Sequence, residues 1–446
     1  MGFAWQRRLR TLVLGAVAVL TALLLVSGIG HLWMPRRAVI GMIVLMLVSP
    51  TVFWWAWVDE RLAAVREHGT RRQRMVRVML AACVGMVLIP VILFVVMPYY
   101  YDLLPVPVLM LVMSWHLSTG GAGAIGLLLW LGYLGARKLR RREAVNQGAN
   151  PGTASMPVAG ETRLSRRAFI TGTLATAPMI VSAGMVVTGL RQEGQFLIRR
   201  VNLTVPRLPD RLRGLTITQL TDFHVGRFFR PEHLPRVVEA VNFIGSDLVV
   251  VTGDIVDHVA EFFPSACDAF REMESYGRFL VVGNHDLIDP SLDTYKYMRE
   301  QFRTDFLADE CRHLVIGGER VQVVGLGWSS SEQREGGLPG HQDRVKQAMA
   351  QADPNVFTIA LAHHPHAFDA LADAGADLTL SGHTHGGQVM LTSTSPAAVG
   401  CGSLLFRYIS GQYTRGHAAL YVSSGVGNWF PVRINAPAEI VQLRLV

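Results

Sequence analysis

Five short polar runs in the second half of the chain carry residue types that bind metal ions and move protons. They are Asp222-Phe223-His224, Gly253-Asp254 with Asp257 three residues on, Asn284-His285-Asp286, His363-His364-Pro365 and His383-Thr384-His385. Each on its own is an ordinary turn sequence. All five, however, follow apolar runs that read as β-strands. The carboxyl ends of neighbouring strands in an α/β sheet converge on one crevice, where ligands bind. Two histidines spaced i, i+2 in extended backbone also point the same way. A set of Asp, Asn and His without cysteine suits divalent Mn, Fe or Zn. About eight ligands suffice for two ions if one carboxylate bridges them. Two such ions can activate a water and clamp both oxygens of an in-line phosphoryl displacement.

The elements that must position these residues are legible from about residue 195 onward. "LTITQL" (215–220), "DLVVVTGD" (247–254), "RFLVVGNHD" (278–286), "NVFTIALAHHP" (355–365) and "DLTLSGHTH" (377–385) read as strands running into loops. "AALYVSSG" (418–425) and "AEIVQLRLV" (438–446) read as closing strands, and "HLVIGGERVQVVGLG" (313–327) as a hairpin around Gly317-Gly318. "PEHLPRVVEAVNFI" (231–244) has helical periodicity. Strands alternating with helices argue for an α/β domain, and the hairpin for a mixed sheet.

The runs "DFH", "GDIVD", "GNHD", "AHHP" and "GHTH", in that order, resemble the five motifs of the calcineurin-like metallophosphoesterases. The resemblance covers about residues 196–446. "LYVSSGVGNWFPVRINAPAEI" (420–440) is similar to the C-terminal end of the family's membrane-linked bacterial branch, whose members carry twin-arginine signals or transmembrane spans. The resemblance implies a four-layer sandwich of two mixed β-sheets flanked by helices. It implies one metal ion held by Asp222, His224, Asp254 and His385. The second would be held by Asp254, Asn284, His363 and His383, with Asp254 as the bridge. A hydroxide bridging the ions would attack phosphorus, and His285 would assist the leaving oxygen. Asp257 would orient His285. Protein phosphatases of the superfamily carry arginine where this chain has His258, which argues against a phosphoprotein substrate. Arg227 and Arg433 are candidate phosphate contacts.

The first half has a different composition. Residues 1–167 hold 19 Lys/Arg against 6 Asp/Glu, and the remainder 23 against 28. The basic excess therefore lies in the hydrophobic half, as expected of cytoplasmic membrane loops and not of a nucleic-acid surface. Stretches of about 11–33, 38–58, 78–97 and 106–135 lack charged residues and reach the ~20 residues needed to span a bilayer. Residues 1–140 are thus expected to form an all-α region of four transmembrane helices, and 141–164 a cytoplasmic linker. His116, inside the fourth stretch, reads as a helix-packing residue beside Ser114, Ser118 and Thr119. "SRRAFI" (165–170) resembles a twin-arginine export motif, so 165–192 is expected to be such a signal or a fifth, uncleaved anchor. The loop arginines then place the N-terminus in the cytoplasm and residues 196–446 outside it. The four cysteines have no paired spacing, so neither a disulfide scaffold nor a cysteine metal site is expected.

The expectation is a multi-pass enzyme of a bacterial inner membrane, assisted by the twin-arginine export machinery. It would hydrolyse a phosphodiester or phosphomonoester of a small molecule, lipid or envelope component. Two alternatives stand beside it. One is a diphosphate hydrolase acting on a UDP-2,3-diacylglucosamine-type substrate of lipid A synthesis. The other is a non-catalytic membrane sensor using the same fold.

Overall fold

The computed structural model describes residues 50–52, 54–58, 85, 105–119, 166–328, 339–392, 399–400, 403, 406–428 and 431–446. The chain divides into two compact units, Met1–Val187 and Thr188–Val446. Of the expected spans, 11–33 and nearly all of 78–97 lie outside the described residues, as does the linker, and 38–58 and 106–135 are described only in part. His116 is buried within the first unit. Its Nδ1 lies 3.5 Å from Thr51 Oγ1, which also accepts a hydrogen bond from Trp115 Nε1 at 3.1 Å. These are packing contacts between polar side chains.

Helix α1 (Arg166–Gln192) contains the expected fifth span. Among the described residues, however, no helix is long and apolar enough to cross a membrane. The expected all-α transmembrane region is therefore not supported by the described residues.

The second unit contains two mixed sheets flanked by helices. In chain order its main elements are β1 (Leu197–Leu203), β2 (Thr216–Leu220), α2 (Leu234–Ile244), β3 (Leu248–Thr252), α3 (Phe263–Arg271), β4 (Gly277–Val281) and α4 (Thr294–Phe302). There follow β5 (Glu310–Ile316), β6 (Glu319–Gly325), α5 (Pro339–Met349), β7 (Phe357–Leu361), α6 (Phe368–Asp373) and β8 (Leu378–Ser381). A short pair, β9 (Met390–Thr392) and β10 (Val399–Gly400), precedes β11 (Gly411–Arg415), β12 (Ala418–Val422) and β13 (Glu439–Leu445). One sheet has the order β1-β13-β2-β3-β4 and the other β11-β12-β8-β7-β6-β5.

Side-chain alternation explains the layering. Successive residues of a strand face opposite sides. In β3, Leu248 and Val250 join Ile217, Phe279, Ile359, Leu361, Leu380 and Leu443 in one apolar layer contributed by both sheets. Val249 and Val251 face the other way and pack with Val237, Val241, Phe270 and Met298 of the helices. On the far side, Val324 and Ala360 pack with Val345, Ala348 and Leu371 of α5 and α6. The result is helix, sheet, sheet, helix. The hairpin forms where expected, with Ile316 paired to Glu319 across Gly317 (φ 57°) and Gly318 (φ 81°). Two left-handed residues in a two-residue turn match the twist of the flanking strands.

Strand β1 was not legible. Its sequence, LIRRVNL, places Arg199 and Arg200 side by side and leaves most positions exposed. Charge on an edge strand blocks further pairing and also hides the alternation. It is recruited by β13, which it joins in parallel along its full length.

Ile359→Ala tests the layer between the sheets. The substitution is expected to reduce unfolding free energy by about 3 kcal/mol in denaturant titration of the purified chain. A change below about 1 kcal/mol would show that this layer is not the main core.

Candidate metal centre

The strands deliver their polar residues through unusually sharp turns. Asp222, His224, Asp254, His383 and His385 all have left-handed backbone, with φ between 46° and 71°. Residues with a Cβ adopt that region at an energetic cost, and such positions concentrate at functional sites. Here backbone hydrogen bonds hold them. Asp222 N donates to Gly253 O at 3.0 Å and His224 N to Asp254 O at 3.1 Å. His383 N donates to both carboxylate oxygens of Asp222 at 3.0 Å. His285 N donates to Asp254 Oδ1 at 2.9 Å. The loops approach too closely for side chains at two glycines. A Cβ on Gly283 would overlap the Asp254 carboxylate, and one on Gly382 would overlap Thr221 Oγ1 and Asp222 Oδ2.

Among the described residues the donor atoms collect in three groups, each with its ligand atoms within 4.8 Å of one another. One of them, His224, Asp257 and His285, shares His224 with the first of the other two. The first is Asp222, His224 and His385, and the second Asp254, His363 and His383. In the first, His224 Nε2 lies 2.9 Å from His385 Nε2, which lies 3.3 Å from Asp222 Oδ1. In the second, His363 Nε2 lies 3.1 Å from Asp254 Oδ2 and 3.2 Å from His383 Nδ1. Asp254 Oδ2 also lies 3.5 Å from His224 Nε2, so this one oxygen faces both groups.

Two observations fit divalent cations. The donor set is all nitrogen and oxygen, and Asp222, His224, Asp254, His363 and His385 are buried, so their lone pairs face each other with little water between them. In addition, Asn284 Oδ1 is a buried oxygen that accepts no hydrogen bond. A buried acceptor normally has a donor, and a cation would satisfy this one.

Outer contacts orient the imidazoles. His363 Nδ1 donates to Thr252 O at 2.8 Å, which turns Nε2 toward the site. Asp257 serves three rings. Its Oδ1 lies 3.5 Å from His224 Nδ1 and 3.2 Å from His285 Nδ1, and its Oδ2 lies 3.1 Å from His258 Nδ1. Burial would raise the Asp257 pKa, but these three donors hold it well below the usual carboxylate range. Burial would likewise lower His285, yet the Asp254 and Asp257 carboxylates outweigh it and push its pKa up to about 9. The His285 side chain is 25% exposed, so it can meet a substrate. The same competition raises His363 to about 9, while burial and the charge on His363 push His383 down to about 3.

The structure corrects two readings. Arg433 is not presented to a substrate. It is 3% exposed and its guanidinium is committed to main-chain and side-chain acceptors behind His385. Its position in a Pro- and Asn-containing loop near the C-terminus showed none of this. Asp286, read with the crevice-facing residues, points inward. Its Oδ1 accepts from Ile255 N (2.8 Å) and Val256 N (3.0 Å), and its Oδ2 from Gly283 N (2.8 Å). It thereby joins the loops after β3 and β4. Arg227 is half-buried on the loop after His224, next to Gly226, which packs against Asp257. An aromatic group not anticipated from sequence lies against the second ligand group. The Trp328 ring stacks on His364 and His383 at centroid distances of 5.8 and 6.2 Å.

Residues 215–387 match the family model described as calcineurin-like phosphoesterase. The chain is 34% identical over 238 residues to an uncharacterized metallophosphoesterase of Helicobacter pylori, covering 52% of this chain and 60% of that one. It is 29% identical over 275 residues to a transmembrane protein with metallophosphoesterase domain of Danio rerio, covering 60% and 61%. It is 24% identical over 305 residues to the UDP-2,3-diacylglucosamine pyrophosphatase LpxG of Chlamydia trachomatis, covering 55% and 88%. The chain spans about three fifths of the length of the first two. Residues 215–387 are thus similar to the calcineurin-like phosphoesterases.

Asp286→Ala should strand three buried backbone N–H groups. Each unsatisfied buried donor costs roughly 1 kcal/mol or more, so a loss on the order of 3 kcal/mol is expected in denaturant titration. A loss below about 1 kcal/mol would show that the carboxylate does not clamp the loops.

Proposed function

We propose that this chain is a membrane-anchored phosphoesterase that uses two divalent metal ions to hydrolyse a phosphodiester or phosphomonoester of a lipid or cell-envelope component. The observation that carries the reading is the single Asp254 oxygen facing two ligand groups, with His285 tied by its backbone N–H to the same carboxylate and its ring partly exposed beside it. Asp222, His224, Asp254 and His385 would hold one ion, and Asp254, Asn284, His363 and His383 the other. When bound, Mn, Fe or Zn ions would supply Lewis acidity and an activated water. The chain's own residues do the rest. Asp257 holds His285 through Nδ1, which directs Nε2 outward. His285 gives its proton to the leaving oxygen as the ester bond breaks. The Gly253, Gly283 and Gly382 turns keep the ligands close and leave little room for bulk water.

The arginine-rich loops of residues 1–167 and the "SRRAFI" run support a multi-pass inner-membrane protein whose Thr188–Val446 unit lies outside the cytoplasm. The name of the Danio relative fits membrane attachment. The similarity to LpxG favours a second reading, in which the substrate is the diphosphate of an acylated nucleotide sugar. That substrate class is made in the cytoplasm, so protease accessibility of residues 200–446 in spheroplasts separates the two. Cleavage from outside fits the envelope substrate, and protection fits the nucleotide sugar.

His285→Ala is expected to reduce turnover of a chromogenic phosphodiester by about 100-fold or more, and Asp254→Asn to reduce it to background. EDTA should abolish wild-type turnover, and Mn²⁺ should restore it. Unchanged turnover in both variants would refute the assignment.

A further inference from the structure

Residues 423–428 and 431–438 lie behind the first ligand group. Val426 N donates to Thr221 O and Gly427 N to Asp222 O, both at 2.9 Å. A Cβ on Gly425 would come within 2.6 Å of the Asp222 Cβ. Arg433 ties this segment together. Its Nη1 donates to Ser424 O at 2.8 Å, Ala436 O at 3.1 Å and His385 O at 3.3 Å. Its Nη2 donates to Gly427 O and lies 3.1 Å from His385 Nδ1, and its Nε donates to Asn428 Oδ1. One buried guanidinium thus touches the backbone and ring of His385 and the loop that backs Asp222, both candidate ligands.

Arg433 is itself held from outside the segment. Gln192 Nε2 donates to Arg433 O and Arg433 N donates to Gln192 Oε1, each at 2.9 Å. This closed amide pair joins residues 241 positions apart. Gln192 is the last residue of α1. The chain after it is pinned to the same unit. Glu193 pairs with Arg230 at 3.0 Å, Arg236 lies over the Phe196 ring at 5.6 Å, and Leu197 N donates to Ala438 O at 2.9 Å.

We propose that Arg433 is a positioning residue for His385 and Asp222, and that Gln192 is the strut that fixes Arg433. The first metal position is then completed from behind by the end of α1. The inference rests on the dinuclear reading above. Its physical basis is that ligand-orienting contacts set metal affinity, and their loss typically weakens binding 10–100-fold. Lysine cannot replace Arg433, because a single ammonium cannot reach acceptors that the planar five-donor guanidinium spans.

The test is Mn²⁺ binding to the purified full-length chain, read by calorimetry and by electron paramagnetic resonance. Wild type should bind two Mn²⁺ with a spin-coupled signal. Arg433→Lys should weaken one of the two sites by about 10–100-fold and convert the coupled signal to that of an isolated ion at limiting metal. Gln192→Ala removes only the amide pair, leaves the ligands and the guanidinium in place, and should weaken the same site by about 10-fold. It carries the test if Arg433→Lys does not fold. Two sites of unchanged affinity and an unchanged coupled signal in the variants would overturn the proposal alone. A wild-type chain that takes up no Mn²⁺ would overturn the dinuclear reading and this inference with it.

Discussion

The second unit is organised around one buried carboxylate. Asp254 Oδ2 faces His224 on one side and His363 on the other. A buried anion is costly unless paired, and burial opposes the ionised form of Asp254. The surrounding histidines outweigh burial and hold its pKa well below the usual range. Much of the neighbouring structure keeps this arrangement fixed. Asp254 is locked in left-handed backbone, its Oδ1 is tied to His285 N, and Gly283 has no side chain that would displace it.

The same constraint accounts for the two-sheet architecture around the site. The candidate ligands come from loops after β2, β3, β4, β7 and β8, which belong to both sheets. The apolar layer shared by the sheets therefore sets the spacing between Asp222 or Asp254 and His363 or His383. In that layer, Val250 from one sheet and Ile359 from the other belong to one cluster. Outside it, Asp286 ties the loops after β3 and β4, and Arg433 ties His385 to the C-terminal segment. Core packing sets the coarse geometry, and buried polar contacts set the fine geometry.

The strands that carry the candidate ligands were legible because each is a short β-prone run followed by Asp, Asn or His, although β2 (TITQL) and β8 (LTLS) mix Thr, Gln and Ser with their apolar residues. The central strand β3 shows this best, since it is buried on both faces. Strand β1 was not legible, because Arg199 and Arg200 mask its alternation and its partner β13 lies at the far end of the chain. The candidate ligands could be picked out by residue type. The direction of Asp286 could not, because sequence does not show which of Asn284, His285 and Asp286 turns inward. Nor could the role of Arg433, whose partners Gln192, His385 and Ser424 become neighbours only on folding. Hydropathy suggested membrane spans in residues 1–140, most of which lie outside the described residues.

The central claim is that Asp254 bridges two ions. Anomalous diffraction from crystals grown with Mn²⁺ tests it most directly. The account predicts two anomalous peaks about 3.5–4 Å apart, both within bonding distance of the Asp254 carboxylate. A single peak, or two peaks of which only one contacts Asp254, would contradict it.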